Sequence, residues 1–329
     1  MDERLGILSR WIERILGAPV CVRPASTDAS FRRYFRVSHR GTDTYIVMDA
    51  PPEHESVEVF ARVAGHFKEL GLNVPLVFAL DKTAGLALLS DLGTRTYLDE
   101  IDGENADRLY EAALNALHRL QTGSRDRLDT FEPYDRDKLM REMALFREWF
   151  VPCRTSNRLS TRDQGTIDGT FDTLVAAALE QPRVWVHRDF HSRNLMVTEV
   201  DNPGILDFQD AVSGPLTYDL VSLLRDCYIS WPEERIDRWL RAYFDRIRDD
   251  PRLTAVTFEQ FVRWFDWMGV QRHVKVLGIF SRLFHRDGKA NYLDDLPLVY
   301  KYVCEVCDRY SELRPFKRLL ESMDVQWTS

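Results

Sequence analysis

The 329-residue sequence has few cysteines, no long apolar run and no excess of positive charge. Its five cysteines are an odd number and predict free thiols in a reducing compartment, not a disulfide framework. Cys304 and Cys307 form a CxxC pair, but no second Cys or His pair lies nearby to complete a zinc site, so we interpret them as helix-packing thiols. No segment approaches the ~20 apolar residues of a membrane span, and the charged first residues lack the apolar core of a signal peptide. We expect a cytoplasmic protein with no membrane partner.

The charge balance is acidic, with 52 Asp and Glu against 44 Lys and Arg, a formal net charge of -8. General nucleic-acid binding needs a basic surface, so this composition argues against that class of function. The acidic charge balance does not argue against the binding of a single nucleotide at a local site. The 44% hydrophobic content supports a large core, and we find no internal repeat or low-complexity segment. We expect no obligate protein partner.

The chain changes character near Gly93. Before it, the patterns are β-rich with interspersed helices; after it, they are mostly helical around a short β-rich stretch at 183–208. This predicts the α+β class, with an N-terminal domain at 1–92 and a helical C-terminal domain at 93–329. The main predicted elements are helices at 5–16, 53–70, 105–120, 136–150 and 166–179, and strands at 20–23, 31–38, 44–49, 76–80 and 85–90, with a turn at Arg40-Gly41.

The densest group of reactive side chains lies in the β-rich stretch, where residues 187–194 read H-R-D-F-H-S-R-N between two apolar strands. A third strand ends at Asp207. Phosphoryl transfer needs a carboxylate that accepts the acceptor's proton and hard oxygen ligands that hold Mg²⁺ against the phosphates. This spacing supplies both: Asp189 as base, and Asn194 with Asp207 as metal ligands. The alternative is an ordinary polar loop, since His, Asp and Asn are common in turns.

These motifs resemble those of the aminoglycoside phosphotransferase and choline kinase family. Residues 187–194, 206–210 (L-D-F-Q-D) and 214–220 (G-P-L-T-Y-D-L) fit the family in order, and the last segment implies that Asp219 opens a helix and braces the catalytic loop. Residues 27–35, 48–52, 89–93 and 267–273 resemble a narrower branch, the N-acetylmuramate/N-acetylglucosamine anomeric kinases of cell-wall recycling. The resemblance implies a protein-kinase-like two-lobe fold, ATP and Mg²⁺ as cofactors, and a sugar acceptor phosphorylated at its C1 hydroxyl.

The predicted phosphate-binding segment departs from the usual kinase pattern. It contains no glycine, although the small polar residues Ser26, Thr27 and Ser30 can present N–H groups and hydroxyls to phosphate oxygens. Met48 stands where the strand lysine is expected. Arg32 and Arg33 are therefore the candidate phosphate cations, because guanidinium pairs well with phosphate.

Glu55 and Glu58 are the alternative partners for such a cation, or else first-turn residues that favour the helix dipole. The segment Leu89, Ser90 and Asp91 lies between the predicted lobes, where the family's backbone groups hydrogen-bond adenine. This completes the predicted nucleotide site.

The acceptor is expected next to Asp189. Predicted contacts are Gln209 and Asp210 after the metal aspartate, and Trp267, Gln271 and Arg272 on a late helix, where Arg272 is the candidate partner of a lactyl carboxylate. His191 and Arg193 are assigned to catalysis as contacts to phosphate or sugar, and His191 is the competing base because its ordinary pKa lies near 7. Core packing is the alternative for the late-helix residues.

Several alternatives to an amino-sugar kinase remain at this point. Within the enzyme class they are aminoglycoside, choline and homoserine kinases. Met48 and the glycine-free segment motivate a non-catalytic, nucleotide-binding pseudokinase. A metal-dependent hydrolase using His187, Asp189, His191 and Asp207 has a poorer ligand spacing.

Overall fold

A computed structural model describes residues 3–26, 32–39, 43–156 and 158–327. The strands within these residues are β1 (Cys21–Ser26), β2 (Arg33–His39), β3 (Asp43–Asp49), β4 (Val77–Asp81), β5 (Leu86–Ser90), β6 (Arg183–Val186), β7 (Leu195–Met196), β8 (Gly204–Ile205) and β9 (Val212–Pro215). The α-helices are α1 (Glu3–Leu16), α2 (Val57–Glu69), α3 (Tyr97–Glu100), α4 (Ala106–Gly123), α5 (Arg136–Leu145), α6 (Val151–Arg154), α7 (Thr161–Glu180), α8 (Tyr218–Leu224), α9 (Glu233–Ile247), α10 (Phe258–Asp287), α11 (Leu296–Arg309) and α12 (Arg314–Glu321). Short 3₁₀ turns lie at Leu128–Thr130, Pro251–Leu253 and Ala290–Tyr292, and a π-helical turn at Phe146–Phe150 continues α5.

The chain forms two compact units. The first consists of Met1–Asp102 and Arg193–Asp210, and the second of Gly103–Ser192 and Ala211–Ser329. The first holds a five-stranded sheet and the second is mainly helical, which confirms the α+β class. The units are not the consecutive stretches 1–92 and 93–329, and that division into functional domains stays a prediction.

An antiparallel sheet in the order β1-β2-β3-β5-β4 dominates the first unit. The apolar stripe of α1 packs on it, with Leu8 and Ile12 fully buried against Val37 and Val47. Gly85 permits the tight β4–β5 turn, because its φ is +68° and a Cβ there would lie 2.0 Å from the carbonyl oxygen of Ala50. The turn predicted at Arg40-Gly41 lies outside the described residues.

Helix α2 begins later than the sequence predicts. The expected start at Glu53 is wrong because the chain first makes a turn, in which the Glu55 N–H donates to the Pro51 carbonyl, and Ser56 then caps the helix through the Val59 N–H. Glu55 therefore precedes the helix. The helix packs its aromatic face on Phe208, whose ring centroid lies 4.9 Å from that of Phe60. This contact ties α2 to the 193–210 segment within the first unit.

The second unit is organised around α10, a 30-residue helix that is buried over most of its length. Gly278 allows α10 to approach α5 closely, because a Cβ there would lie 2.4 Å from the backbone carbon of Leu145. The prediction of one α-helix over 136–150 is correct only to Leu145, where the π-helical turn takes over. The helix predicted at 166–179 starts at Thr161, because Ser160 and Asp163 form a capping box. In the described part of the chain, no helix combines the length and apolarity needed to cross a membrane.

Candidate active site

The β7–β8 hairpin positions the two residues predicted to hold a metal. Asn194 directly precedes β7 and Asp207 follows β8, and the Leu206 N–H donates to the Asn194 carbonyl at 2.9 Å. Asp207 has a φ of +61°, an uncommon value for a residue with a side chain and one that occurs preferentially at functional sites. Its carboxylate is 48% exposed and so is open to a ligand.

The donor chemistry of this pair fits Mg²⁺. One carboxylate and one amide oxygen are hard ligands, and Mg²⁺ keeps several waters or substrate oxygens in its shell. Among the described residues, no group of three or more His, Cys, Asp or Glu side chains is arranged to hold a metal ion. The three-ligand set that the hydrolase alternative requires is therefore not supplied by these residues.

Arg32 lies beside Asp207. Its side chain is 8% exposed, one terminal nitrogen lies 2.7 Å from Glu55 Oε2 and the other lies 3.7 Å from Asp207 Oδ1. Met48, at the position of the missing lysine, is fully buried. Arg32 with Glu55 thus provides a cation and carboxylate pair next to a candidate metal ligand. Glu58, the other candidate partner, pairs with Lys82 at 2.6 Å.

Arg33 has a different environment. Its Nε and one terminal nitrogen donate to Asp49 Oδ2 at 3.0 Å and 2.6 Å. Asp49 is fully buried and also accepts from Arg4. The two arginines, which the sequence predicts to have the same role, thus have different carboxylate partners: Arg32 lies near Asp207 and Arg33 binds Asp49.

A cavity of about 340 Å³ lies next to Arg32. It falls within the range of small-molecule sites. Gln209 lines it, is 8% exposed, and donates from Nε2 to Asp207 at 2.9 Å and to Asp210 at 3.2 Å. Its Oε1 is buried without a hydrogen bond to the described residues, which leaves an acceptor for a ligand donor. The structure therefore groups four predicted site residues here: Arg32, Asp207, Gln209 and Asp210.

The residues predicted to line the adenine site have structural partners through their side chains. Leu89 is buried, Ser90 Oγ accepts from the Leu76 N–H at 2.8 Å, and Asp91 accepts from Arg36 at 2.6 Å. Adenine contacts through the backbone of this segment stay a prediction.

The small-residue segment lies mostly outside the described residues. Ser26 ends β1 opposite Tyr34, and its side chain is not described. Thr27 and Ser30 lie outside the described residues altogether. Their predicted contacts to phosphate stay predictions.

Two buried aspartates hold the loop that carries Asp189 through hydrogen bonds from its backbone N–H groups. Asp219, at the start of α8, accepts from the backbone N–H groups of His187 at 2.7 Å and Arg188 at 2.9 Å. Asp226 accepts from the Ser192 N–H at 2.9 Å. Burial raises the pKa of Asp219 to about 7, although the two N–H bonds act to lower it. Arg188 takes a φ of +80°, a strained value that these bonds help to maintain.

Asp189 lies in a cluster of buried charges. Arg188 and Lys275 both pair with Glu142, the latter at 3.1 Å, while Arg272 lies 3.9 Å from Asp189. Burial would raise the pKa of Asp189, but the positive charges of Lys275 and Arg272 outweigh it and hold that pKa below its ordinary range. The carboxylate, 39% exposed, is therefore ionised at neutral pH and accessible to a hydroxyl.

His191 and Arg193 follow Asp189 on the loop. The His191 backbone N–H donates to the Asp189 carbonyl at 3.1 Å, and its buried ring packs edge-on against Tyr228. Arg193 is half-buried. Their predicted roles toward phosphate or sugar stay predictions.

The three residues predicted on α10 have separate environments. Arg272 faces Asp189, while Trp267 packs under the guanidinium of Arg263 at 3.8 Å. Gln271 is fully buried, and neither of its amide atoms has a hydrogen-bond partner among the described residues. Of the three, Arg272 is the one that the structure brings to Asp189.

Glu142 and Lys275 are site residues that the sequence reasoning missed. Glu142 belongs to no sequence motif, and its partners Arg188 and Lys275 lie far from it along the chain. Lys275 had a signal: it follows Arg272 by three residues in an apolar helix, and i, i+3 spacing places two cations on one side.

Comparisons with known proteins identify the family to which the chain belongs. A family model described as the phosphotransferase enzyme family matches residues 22–277. The N-acetylmuramate/N-acetylglucosamine kinase of Pseudomonas aeruginosa is 45% identical, covering 98% of this chain and 97% of its own length. A kinase of the same name from Neisseria meningitidis is 42% identical, covering 90% of this chain and 88% of its own. The crystal structure of choline kinase LicA from Streptococcus pneumoniae, 13% identical, matches with a TM-score of 0.64 over 92% of this chain and 100% of its own.

The structural match confirms the predicted protein-kinase-like fold. The sequence matches extend over nearly the whole chain and include the 187–194 loop and Asp207. The predictions of family and of enzyme class are therefore both confirmed, and the chain belongs to the phosphotransferase enzyme family as a kinase.

Proposed function

We propose that this kinase transfers the γ-phosphate of ATP to the anomeric C1 hydroxyl of N-acetylmuramate or N-acetylglucosamine. The observation that carries the chemistry is the anchored, ionised carboxylate of Asp189. The acceptor follows from the names of relatives that are 45% and 42% identical to this chain.

Asp189 accepts the hydrogen bond of the acceptor hydroxyl and takes its proton as the bond to phosphorus forms. Its low pKa makes it a weak base, so its main contribution is to orient the hydroxyl for in-line attack. The two loop anchors, Asp219 and Asp226, restrict the movement of the carboxylate. Asn194 and Asp207 would hold Mg²⁺, which when bound supplies neutralisation of charge on the phosphates.

Arg32 takes the place of the strand lysine in this proposal. Its pairing with Glu55 fixes the guanidinium while leaving it close to Asp207. A guanidinium in this position binds phosphate oxygens through charge-assisted hydrogen bonds. The Ser26–Ser30 segment and the backbone of Leu89–Asp91 complete the proposed nucleotide site.

A non-catalytic pseudokinase is less well supported. A protein that only binds nucleotide gains nothing from an acceptor-side carboxylate held by two buried aspartates and kept ionised by Lys275 and Arg272. Aminoglycoside acceptors are also disfavoured, since polycations call for an acidic pocket and this carboxylate is surrounded by cations. The absence of nucleic-acid and obligate protein partners stays a prediction.

The test is an acceptor panel with Mg-ATP, followed by ³¹P NMR of the product. We expect phosphorylation of the two amino sugars with an anomeric phosphate signal, and none of choline, homoserine or aminoglycosides. Asp189→Asn is expected to lower kcat by about 10²–10⁴-fold, because the amide neither takes the proton nor orients the hydroxyl as the carboxylate does. The matched control is Asp172→Asn, a surface aspartate paired with Arg136, which should leave kcat unchanged. Equal turnover by wild type and Asp189→Asn would show that the mechanism is wrong.

A further inference from the structure

The cations around Asp189 do not all have the same partners. Arg188 and Lys275 are both engaged by Glu142, which also accepts from the Tyr134 hydroxyl. Arg272 is the third cation of the cluster, and it forms no ion pair with Glu142. Among the described residues, the carboxylate within ion-pair distance of Arg272 is that of Asp189.

A hydrogen bond through Nε holds the buried side chain of Arg272 in place. Its side chain is 4% exposed, and its Nε donates to Ser222 Oγ at 2.7 Å. The nearest carboxylate oxygen, on Asp189, lies 3.9 Å from a terminal nitrogen, which is beyond hydrogen-bond distance. These terminal nitrogens make no hydrogen bond to any residue that the structure describes.

Arg225, a buried arginine of the same unit, provides a contrast, because its two terminal nitrogens reach both oxygens of Glu233 at 2.5 Å and 2.6 Å. Guanidinium N–H groups that lack an acceptor in the protein can donate to a ligand instead. The fork of two terminal nitrogens matches a carboxylate, which it binds through two parallel bonds.

We infer that Arg272 binds the lactyl carboxylate of N-acetylmuramate while its C1 hydroxyl lies at Asp189. This inference rests on the proposed function, and it assigns the preference between the two acceptors to one residue. N-acetylglucosamine carries a hydroxyl where N-acetylmuramate carries the lactyl ether, so it leaves the fork of Arg272 without a carboxylate. Both sugars are substrates, but Arg272 favours the acid.

A double-mutant cycle between residue and ligand isolates this contact. Equilibrium binding without nucleotide is measured for wild type and Arg272→Gln, each with N-acetylmuramate and with its lactyl methyl ester. In wild type we expect the acid to bind about 10- to 100-fold more tightly than the ester, the effect of a charge-assisted hydrogen bond. In Arg272→Gln the difference should disappear, and Arg272→Lys, which keeps the charge but loses the fork, should retain part of it.

The control is Arg282→Gln, the same substitution ten residues further along α10 on a half-buried arginine. It should keep the full preference for the acid. An equal loss of affinity for acid and ester in Arg272→Gln would overturn the inference and assign Arg272 to general positioning of Asp189.

The following results distinguish a failure of this inference from a failure of the proposed function. If Arg272→Gln does not fold, as judged by its melting curve, the wild-type comparison decides alone: equal binding of acid and ester overturns the inference. If wild type phosphorylates both sugars without preferring the acid, the inference fails and the proposed function stands. If wild type phosphorylates neither sugar, the proposed function fails, and the inference fails with it.

Discussion

Arg32 and Arg33 are adjacent in sequence, but the structure predicts that only the replacement of Arg32 weakens the use of ATP. Arg32 is almost fully buried between Glu55 and Asp207, whereas Arg33 is 38% exposed and bound to Asp49. Arg32→Gln removes the proposed phosphate cation and leaves Glu55 without its partner. Arg33→Gln leaves Asp49 with Arg4.

The magnitude follows from the kind of hydrogen bond that each substitution removes. A hydrogen bond to a charged group contributes about 1.5–3 kcal/mol, which corresponds to roughly 10- to 150-fold in kcat/KM for ATP. Arg32→Gln is expected to fall in that range, with the loss mainly in KM for ATP. Arg33→Gln is expected to leave kcat/KM for ATP unchanged and to lower stability by about 1 kcal/mol, because the buried Asp49 keeps its hydrogen bond from Arg4.

The assay is ADP release under ATP titration at saturating sugar, with melting curves for both variants. Arg32→Lys is included because it restores a positive charge without the planar fork and should recover part of the activity. The reasoning is refuted if Arg32→Gln stays within twofold of wild type for ATP, or if Arg33→Gln loses as much activity as Arg32→Gln.

Two stability predictions concern the second unit. The pKa of Asp219 is raised to about 7 in the fold, so its protonation favours folding; this stability is present below about pH 4 and is lost as the pH rises through 7. The melting temperature of wild type should therefore fall more between about pH 5.5 and about pH 8.5 than that of Asp219→Asn, and parallel falls would contradict the assignment. Gly278→Ala should destabilise by about 1–3 kcal/mol because its Cβ would lie 2.4–2.6 Å from atoms of Leu145. Gly269→Ala on the same helix meets nothing closer than Val221 at 3.8 Å and should be neutral or stabilising by up to about 1 kcal/mol, so equal melting of the two variants would count against this packing.

The parts of the fold that the sequence predicted well are those set by local patterns. The stripe of α1, the β2 and β3 strands and the end of α2 near Gly71 all follow from periodicity or backbone preference. The errors occurred at boundaries where a cap or turn overrides periodicity. Ser56 and Ser160 both cap helices, and both caps shift the helix starts away from those that periodicity predicts.

The candidate site was predicted where one short motif carries it and missed where tertiary contacts build it. Asp189, Asn194 and Asp207 share a loop and a hairpin, so their spacing is visible in the chain. Glu142 reaches the same region from α5, about 50 residues before the loop, and only folding brings it to Arg188. The sequence also could not predict that Arg32 and Arg33 have different partners. Alternation along a strand indicates the face of the sheet on which a side chain lies, but not the carboxylate that it contacts.

The discontinuous first unit has a consequence for synthesis on the ribosome. Its sheet lies within the first 102 residues, but it also includes Arg193–Asp210, which is made much later. Until that segment emerges, the Phe60 and Phe67 rings lack Phe208, and Gly204 cannot pair with Asn73. The nascent chain therefore carries an incomplete first unit, with aromatic surface of α2 uncovered, until about two thirds of the protein has been translated. Aggregation-prone surface at this stage makes the early chain a natural client for chaperones that act during translation.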